Sequence, residues 1–387
     1  MRATSFLSVF LILLTSACVD RLNYSIKKPT EFGISVDGFI SNQPGPYRVN
    51  INRTFDIESK ESTKIPVSAK YVILSDDQGT SEELAEINEG VYETSDKGMQ
   101  GLVGRAYKLR IELYDERIYE SVPDTLQQPG KMDSVYFSFS EVKDANGTSI
   151  YGFNAFANSS KGSSKSNYFM WNTAGTFRAD TRPELGDPTK TECNPLPGGK
   201  CNFLPICSGL LNVGSTSAPA FIRVKPCECC TCWYKIFNTD VILNDEYFSS
   251  SDHYDKLKVY NVPLTGWIFM YKIHVEVSQL SLTRHSFLFW KAIRDQRHAI
   301  GNLFQPVSGK IPLNFVQLSG EESPVQGLFY ATGISNKSTY ITRFDVPALI
   351  TIPDAYGRPY TDKCIGCFSC LELFPNATNV KPPFWID

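Results

Sequence analysis

Residues 32–53, FGISVDGFISNQPGPYRVNINR, decide the fold class. Phe32, Ile34 and Val36 alternate with small or polar residues, and beyond Pro44-Gly45 the alternation resumes at Tyr47, Val49 and Ile51. A period of two sends successive side chains to opposite faces of a strand, so each stretch buries one face and wets the other. The segment reads as two strands flanking a proline–glycine turn.

The same signature continues outward at 69–75, 90–94, 106–114 and 117–122, punctuated by the turn DDQG (76–79) and the loop VGRA (103–106). Short alternating strands at this density predict a β-sandwich of immunoglobulin or transthyretin type over residues 31–122. Residues 123–132, with two prolines, read as a linker. Strands are then expected at 133–142 and 150–157, followed by a Ser/Lys/Gly loop at 158–166. A hairpin over 167–181 turns at Ala174-Gly175, and strands follow at 326–334 and 338–344. One stretch, 281–301, has helical signals, with Ser281 as N-cap and Gly301 beyond the end. Leu282, Phe289, Ile293 and Ile300 fall near one face, with Trp290 alongside, which docks the helix on a sheet. The expected fold is mainly β: the N-terminal sandwich, then a larger β-rich domain (133–387) with one docked helix and a disulfide-rich insertion at 193–232.

The first residues speak to compartment. Arg2, an apolar run from Phe6 to Leu14 broken only by Ser8, and small Thr15-Ser16-Ala17 form a secretory signal over 1–17, too short to span a bilayer. Small residues before Cys18 resemble a lipobox, which implies lipid on Cys18 and a tether over 18–30; the alternative is ordinary cleavage with Cys18 in a disulfide. Eleven cysteines less Cys18 leave ten, an even set. Cys193, Cys201, Cys207, Cys227, Cys229, Cys230 and Cys232 make one group, and Cys364, Cys367 and Cys370 another. Their spacing would suit zinc or an iron–sulfur centre in the cytosol, but export favours disulfides, with no metal or other cofactor. Both groups are odd, so complete pairing requires a bridge between them. Vicinal Cys229 and Cys230 are poorly placed to pair with each other.

Charge excludes some functions. With 38 basic and 41 acidic residues and no long basic run, the chain has no electrostatic footprint for nucleic acid. Beyond the signal no apolar run is long enough to cross a membrane, so any membrane tie comes from the lipid. His253, His274, His285 and His298 have no metal-binding spacing. There is no nucleophile elbow or phosphate loop, and Asp76-Asp77 and Glu321-Glu322 sit in turn or loop sequence, so no enzyme activity is expected. Trp171, Trp233, Trp267 and Trp290, with Phe287 and Phe289, read as core or, where exposed together, as a binding platform.

Several stretches together resemble the Bacteroidetes lipoprotein family known as domain of unknown function 4249: 36–54, 90–94, 101–113, 167–177, Cys232-Trp233, 287–293 and 326–335, with a closing signature at 364–370 and 376–385. The resemblance implies an outer-membrane lipoprotein, often encoded beside TonB-dependent transporters, with no established activity. Residues 19–24 lack the acidic cluster associated with surface export, which leaves either face of the outer membrane open. The expected function is that of a non-catalytic accessory or ligand-binding partner of such a transporter or another outer-membrane complex. A hydrolase acting on envelope glycans or peptides, and a purely structural or adhesive protein, are the alternatives.

Overall fold

The computed structural model describes residues 33–54, 64–185, 206–214, 220–244, 252–299, 311–312, 314–356 and 368–386. The signal, Cys18, the tether, Cys193, Cys201, Ile300, Gly301, Cys364 and Cys367 lie outside the described residues.

In chain order the first region forms β1 (Ile34–Ser41), β2 (Arg48–Arg53), β3 (Ala69–Asp76), β4 (Ser81–Glu83), β5 (Ala85–Asn88), β6 (Val91–Glu93), β7 (Ala106–Leu113), β8 (Ile118–Ser121) and β9 (Asp124–Thr125). Next come β10 (Lys131–Lys143), β11 (Ser149–Ser160) and β12 (Phe169–Asp180), and within the cysteine-rich insertion β13 (Leu210–Asn212) and β14 (Phe221–Arg223). The chain continues through β15 (Thr231–Phe237), β16 (Ile242–Leu243), β17 (His253–Pro263), β18 (Lys272–Ser281), helix α1 (Arg284–Ala299), β19 (Phe315–Ser319), β20 (Val325–Thr342) and a four-residue helix α2 (Cys370–Leu373).

One long sheet organises the molecule. Its order is β15-β12-β18-β20-β1-β2-β6-β5, with β16 also on β12. Two smaller sheets pack on the same face. The first, β19-β8-β7-β3-β4 with β9 on β7, closes the N-terminal sandwich, where Ile34, Val36, Val49 and Ile51 meet Val72, Leu74, Leu109, Ile111 and Tyr119. The second, β10-β11-β17, covers Trp171, Phe177, Val275 and Val277 with Phe153, Ala155, Val259 and Val262. The chain is thus mainly β, two sandwiches sharing one sheet.

β20 is the shared element. Its first half pairs in parallel with β1, from Ile34 with Val325 to Ser41 with Thr332. Its second half pairs antiparallel with β18, from Ser281 with Gly333 to Lys272 with Thr342. The N-terminal sandwich is therefore completed by β19 and the first half of β20, contributed from beyond residue 300, and the 123–132 stretch contributes β9. The two strands expected at 326–334 and 338–344 are one.

Two other expectations are corrected. The stretch 167–181 holds a single strand, β12 (Phe169–Asp180), and Gly175 sits mid-ladder opposite Val275 and Ile236 rather than in a turn. A Cβ there would lie 2.7 Å from Ile273 Cδ1, so this glycine serves close packing of neighbouring strands. Ser281 is not the helix cap: it ends β18, and its hydroxyl accepts from the Gly130 amide at 3.0 Å. Thr283 takes the capping place, accepting the Ser286 amide at 3.4 Å.

Candidate functional site: a groove on the open sheet face

Strand alternation sorts the long sheet's residues into two faces. Odd positions of β12, β18 and β20 feed the sandwich cores, and even positions point to the opposite face. That opposite face is covered at two places only among the described residues. Helix α1 lies across Met170, Leu280, Leu328 and Tyr330, burying Phe287 and Phe289 against them. Toward the far end of β18 the C-terminal tail is seated: Phe384 stacks on His274 (centroids 4.3 Å), and Trp385 meets Trp233 and Tyr340 edge-on.

Between these covers the sheet face stays open as a groove of about 540 Å³. Asn172 and Ala174 of β12, Glu276, Ser278 and Leu280 of β18, and Ile334 of β20 form the floor. Lys235 and Phe237 of β15 make one wall, Trp290, Ile293 and Arg297 of α1 the other, and the loop from Asn238 to Val241 closes an end. The register explains the floor: Asn172 pairs with Ser278 and Ala174 with Glu276, so their side chains stand in two adjacent rows. The small side chain of Ala174 deepens the groove there. The Arg297 guanidinium donates to the Thr239 carbonyl, fixing the loop to the helix. Lys235 Nζ lies 5.2 Å from the Phe237 ring centroid, a cation–π contact. Trp290 Nε1 is buried without a hydrogen-bond partner among the described residues.

Of the candidate residues from the sequence, Trp290 stands on the groove wall and the others described fall elsewhere. Disulfides join Cys207 to Cys229, Cys227 to Cys230 and Cys232 to Cys370. The last ties the tail group to the insertion, on the core side of β15, where Cys232 and Cys370 are both fully buried. Among the described residues no group of three His, Cys, Asp or Glu is placed to hold a metal. Asp76 and Asp77 face Arg105 at 3.4 and 3.6 Å, and Glu321 and Glu322 are exposed. His274 lies under the tail, where burial holds its imidazole below the ordinary histidine range. Trp171 is core and Trp290 half-buried on the groove wall.

One buried polar centre escaped the sequence reading. The Asp124 carboxylate accepts from Thr283 Oγ1 (2.6 Å), Ser286 Oγ (2.8 Å) and the Ala331 amide (3.1 Å). It thereby joins β9, the start of α1 and β20. Burial raises its carboxyl above the usual carboxylate range, against three hydrogen bonds that favour the ionised form. With Ser286 inaccessible and every oxygen occupied, this is a structural clasp that sets the helix, and hence the groove wall, on the sheet.

A model of the family described as "Domain of unknown function (DUF4249)" matches residues 19–338, most of the chain. The match takes in every groove residue and stops four residues before the end of β20, so the tail lies outside it. No curated protein matches the chain.

Proposed function

We propose, from the premise that the chain belongs to the family of domain of unknown function 4249, that it works by binding. In this reading it is held at the outer membrane by lipid on Cys18. There it serves as an accessory or ligand-capturing partner of a TonB-dependent transporter or another outer-membrane complex. The observation that supports a binding role is the groove: an open, largely apolar trough on the sheet face between α1 and the tail, walled by Trp290 and Phe237. Apolar recesses with aromatic walls are where binding energy concentrates. Of the groove's charged side chains, Lys235 stands over the Phe237 ring and Arg297 is engaged with the Thr239 carbonyl.

The test is purification of the tagged full-length protein in native detergent from its own outer membrane, followed by mass spectrometry. The expected result is a transporter recovered in stoichiometric amount. Cys18→Ala moves the protein to the soluble fraction and abolishes that recovery. Purification of the wild type alone, under conditions that preserve transporter complexes, contradicts the proposal.

A further inference from the structure

The wall of the groove formed by β15 is also a sheet edge. Trp233 exchanges both main-chain hydrogen bonds with Thr378 of the tail, at 2.8 and 3.1 Å, so its N–H and C=O point away from β12. Alternation turns those of Lys235 and Phe237 the same way. Asn238, of opposite parity, donates inward to the Thr173 carbonyl at 2.9 Å, which fits that assignment. Among the described residues the tail makes a single strand bridge to β15, at Trp233, and Asn376, two residues before Thr378, takes a φ of 70°. Among the described residues, then, the outward main-chain groups of Lys235 and Phe237 have no strand partner. The Phe237 side chain, 64% exposed, stands directly above them at the lip of the groove.

We propose that this edge takes an extended polypeptide segment of a partner protein, added as a strand along Lys235–Phe237 at the lip of the groove. Its side chains of one parity, apolar, would pack against the exposed ring of Phe237 on the groove side of the sheet. The inference rests on the binding role above and names the chemistry of its occupant. The unpaired edge selects a polypeptide, because only an extended chain presents N–H and C=O groups at the spacing of a β-ladder, while alternate side chains supply specificity. A lipid or another apolar molecule could fill the trough but would leave the edge to water. Lys235 disfavours a second copy of this chain, since pairing two such edges antiparallel brings like charges close and ammonium groups on edges oppose self-association. A heterologous segment, with an acidic residue near Lys235, fits better.

A phage-displayed library of linear heptapeptides, panned on the full-length protein, supplies the probe. An enriched peptide is then measured by fluorescence anisotropy on wild type and Phe237→Asp. The substitution is expected to weaken binding by about tenfold or more, as for central interface aromatics. Phe237→Asp lies at an exposed position, and an unchanged melting temperature separates lost binding from lost folding. Peptides N-methylated at every second amide should lose binding in one phase and keep it in the other. Failure to enrich any peptide, binding indifferent to Phe237→Asp, or equal tolerance of both N-methylation phases overturns the inference. If a transporter co-purifies and the peptides fail, the strand-addition site alone falls. If peptides bind as expected and no transporter co-purifies, the membrane-complex role falls instead.

Discussion

Asp124 illustrates how a single residue can be hidden from sequence reading. In PDTLQQPGK it looks like a turn former between prolines, and nothing local distinguishes it from a solvated aspartate. Its partners Thr283, Ser286 and Ala331 are 159, 162 and 207 residues away, so only the folded chain reveals the clasp. Removing the carboxylate strands two hydroxyls and a buried amide. Asp124→Ala is therefore expected to destabilise the protein by about 2–4 kcal/mol, the cost of losing buried charge-assisted hydrogen bonds. Chemical denaturation checks this, and a loss within experimental scatter would show that the clasp is replaceable by water. Other residues were legible: Ile34, Val36, Val49 and Ile51 bury the face that their period of two assigns them.

At the scale of elements, existence was readable and continuity was not. The strands expected at 69–75 and 106–114 appear as β3 (Ala69–Asp76) and β7 (Ala106–Leu113), because their turns carry local chemistry. Gly175 and the polar run Ser335–Ser338 imitate breaks, yet the chain passes through both in strand conformation, Gly175 held between β15 and β18 and Ser335–Ser338 by its ladder with β18. The division at 123–132 likewise reflects sequence order, whereas the long sheet joins strands from either side of it. Cysteine parity called for a link between insertion and tail, and Cys232–Cys370 provides one across 138 residues. A bridge closing so long a loop restricts the unfolded chain strongly. The double substitution Cys232→Ser/Cys370→Ser is expected to cost about 3–5 kcal/mol on that basis and to expose the tail to proteolysis. A variant with wild-type melting and an equally protected tail would mean that the aromatic contacts of Phe384 and Trp385 hold it without the bridge.

For the whole molecule, the decisive arrangement is that both sandwiches use one face of the long sheet and leave the other to α1 and the tail. The groove is the remainder between them. Its lining comes from five strands, a loop and a helix spread from Phe39 to Ile334, so no local motif announces it. Trp290 and the helix were readable as a docked amphipathic element; that the helix would leave an aromatic wall facing open sheet was not. If this face meets another protein at the outer membrane, photo-cross-linking in intact cells captures that protein on it. A benzophenone amino acid replaces Phe237 in one strain and, as a control at the opposite end of the sheet, the exposed Ile87 of β5 in another. A covalent adduct with an outer-membrane protein is expected from position 237 and none from position 87. No adduct from position 237, or one formed only from position 87, would contradict it.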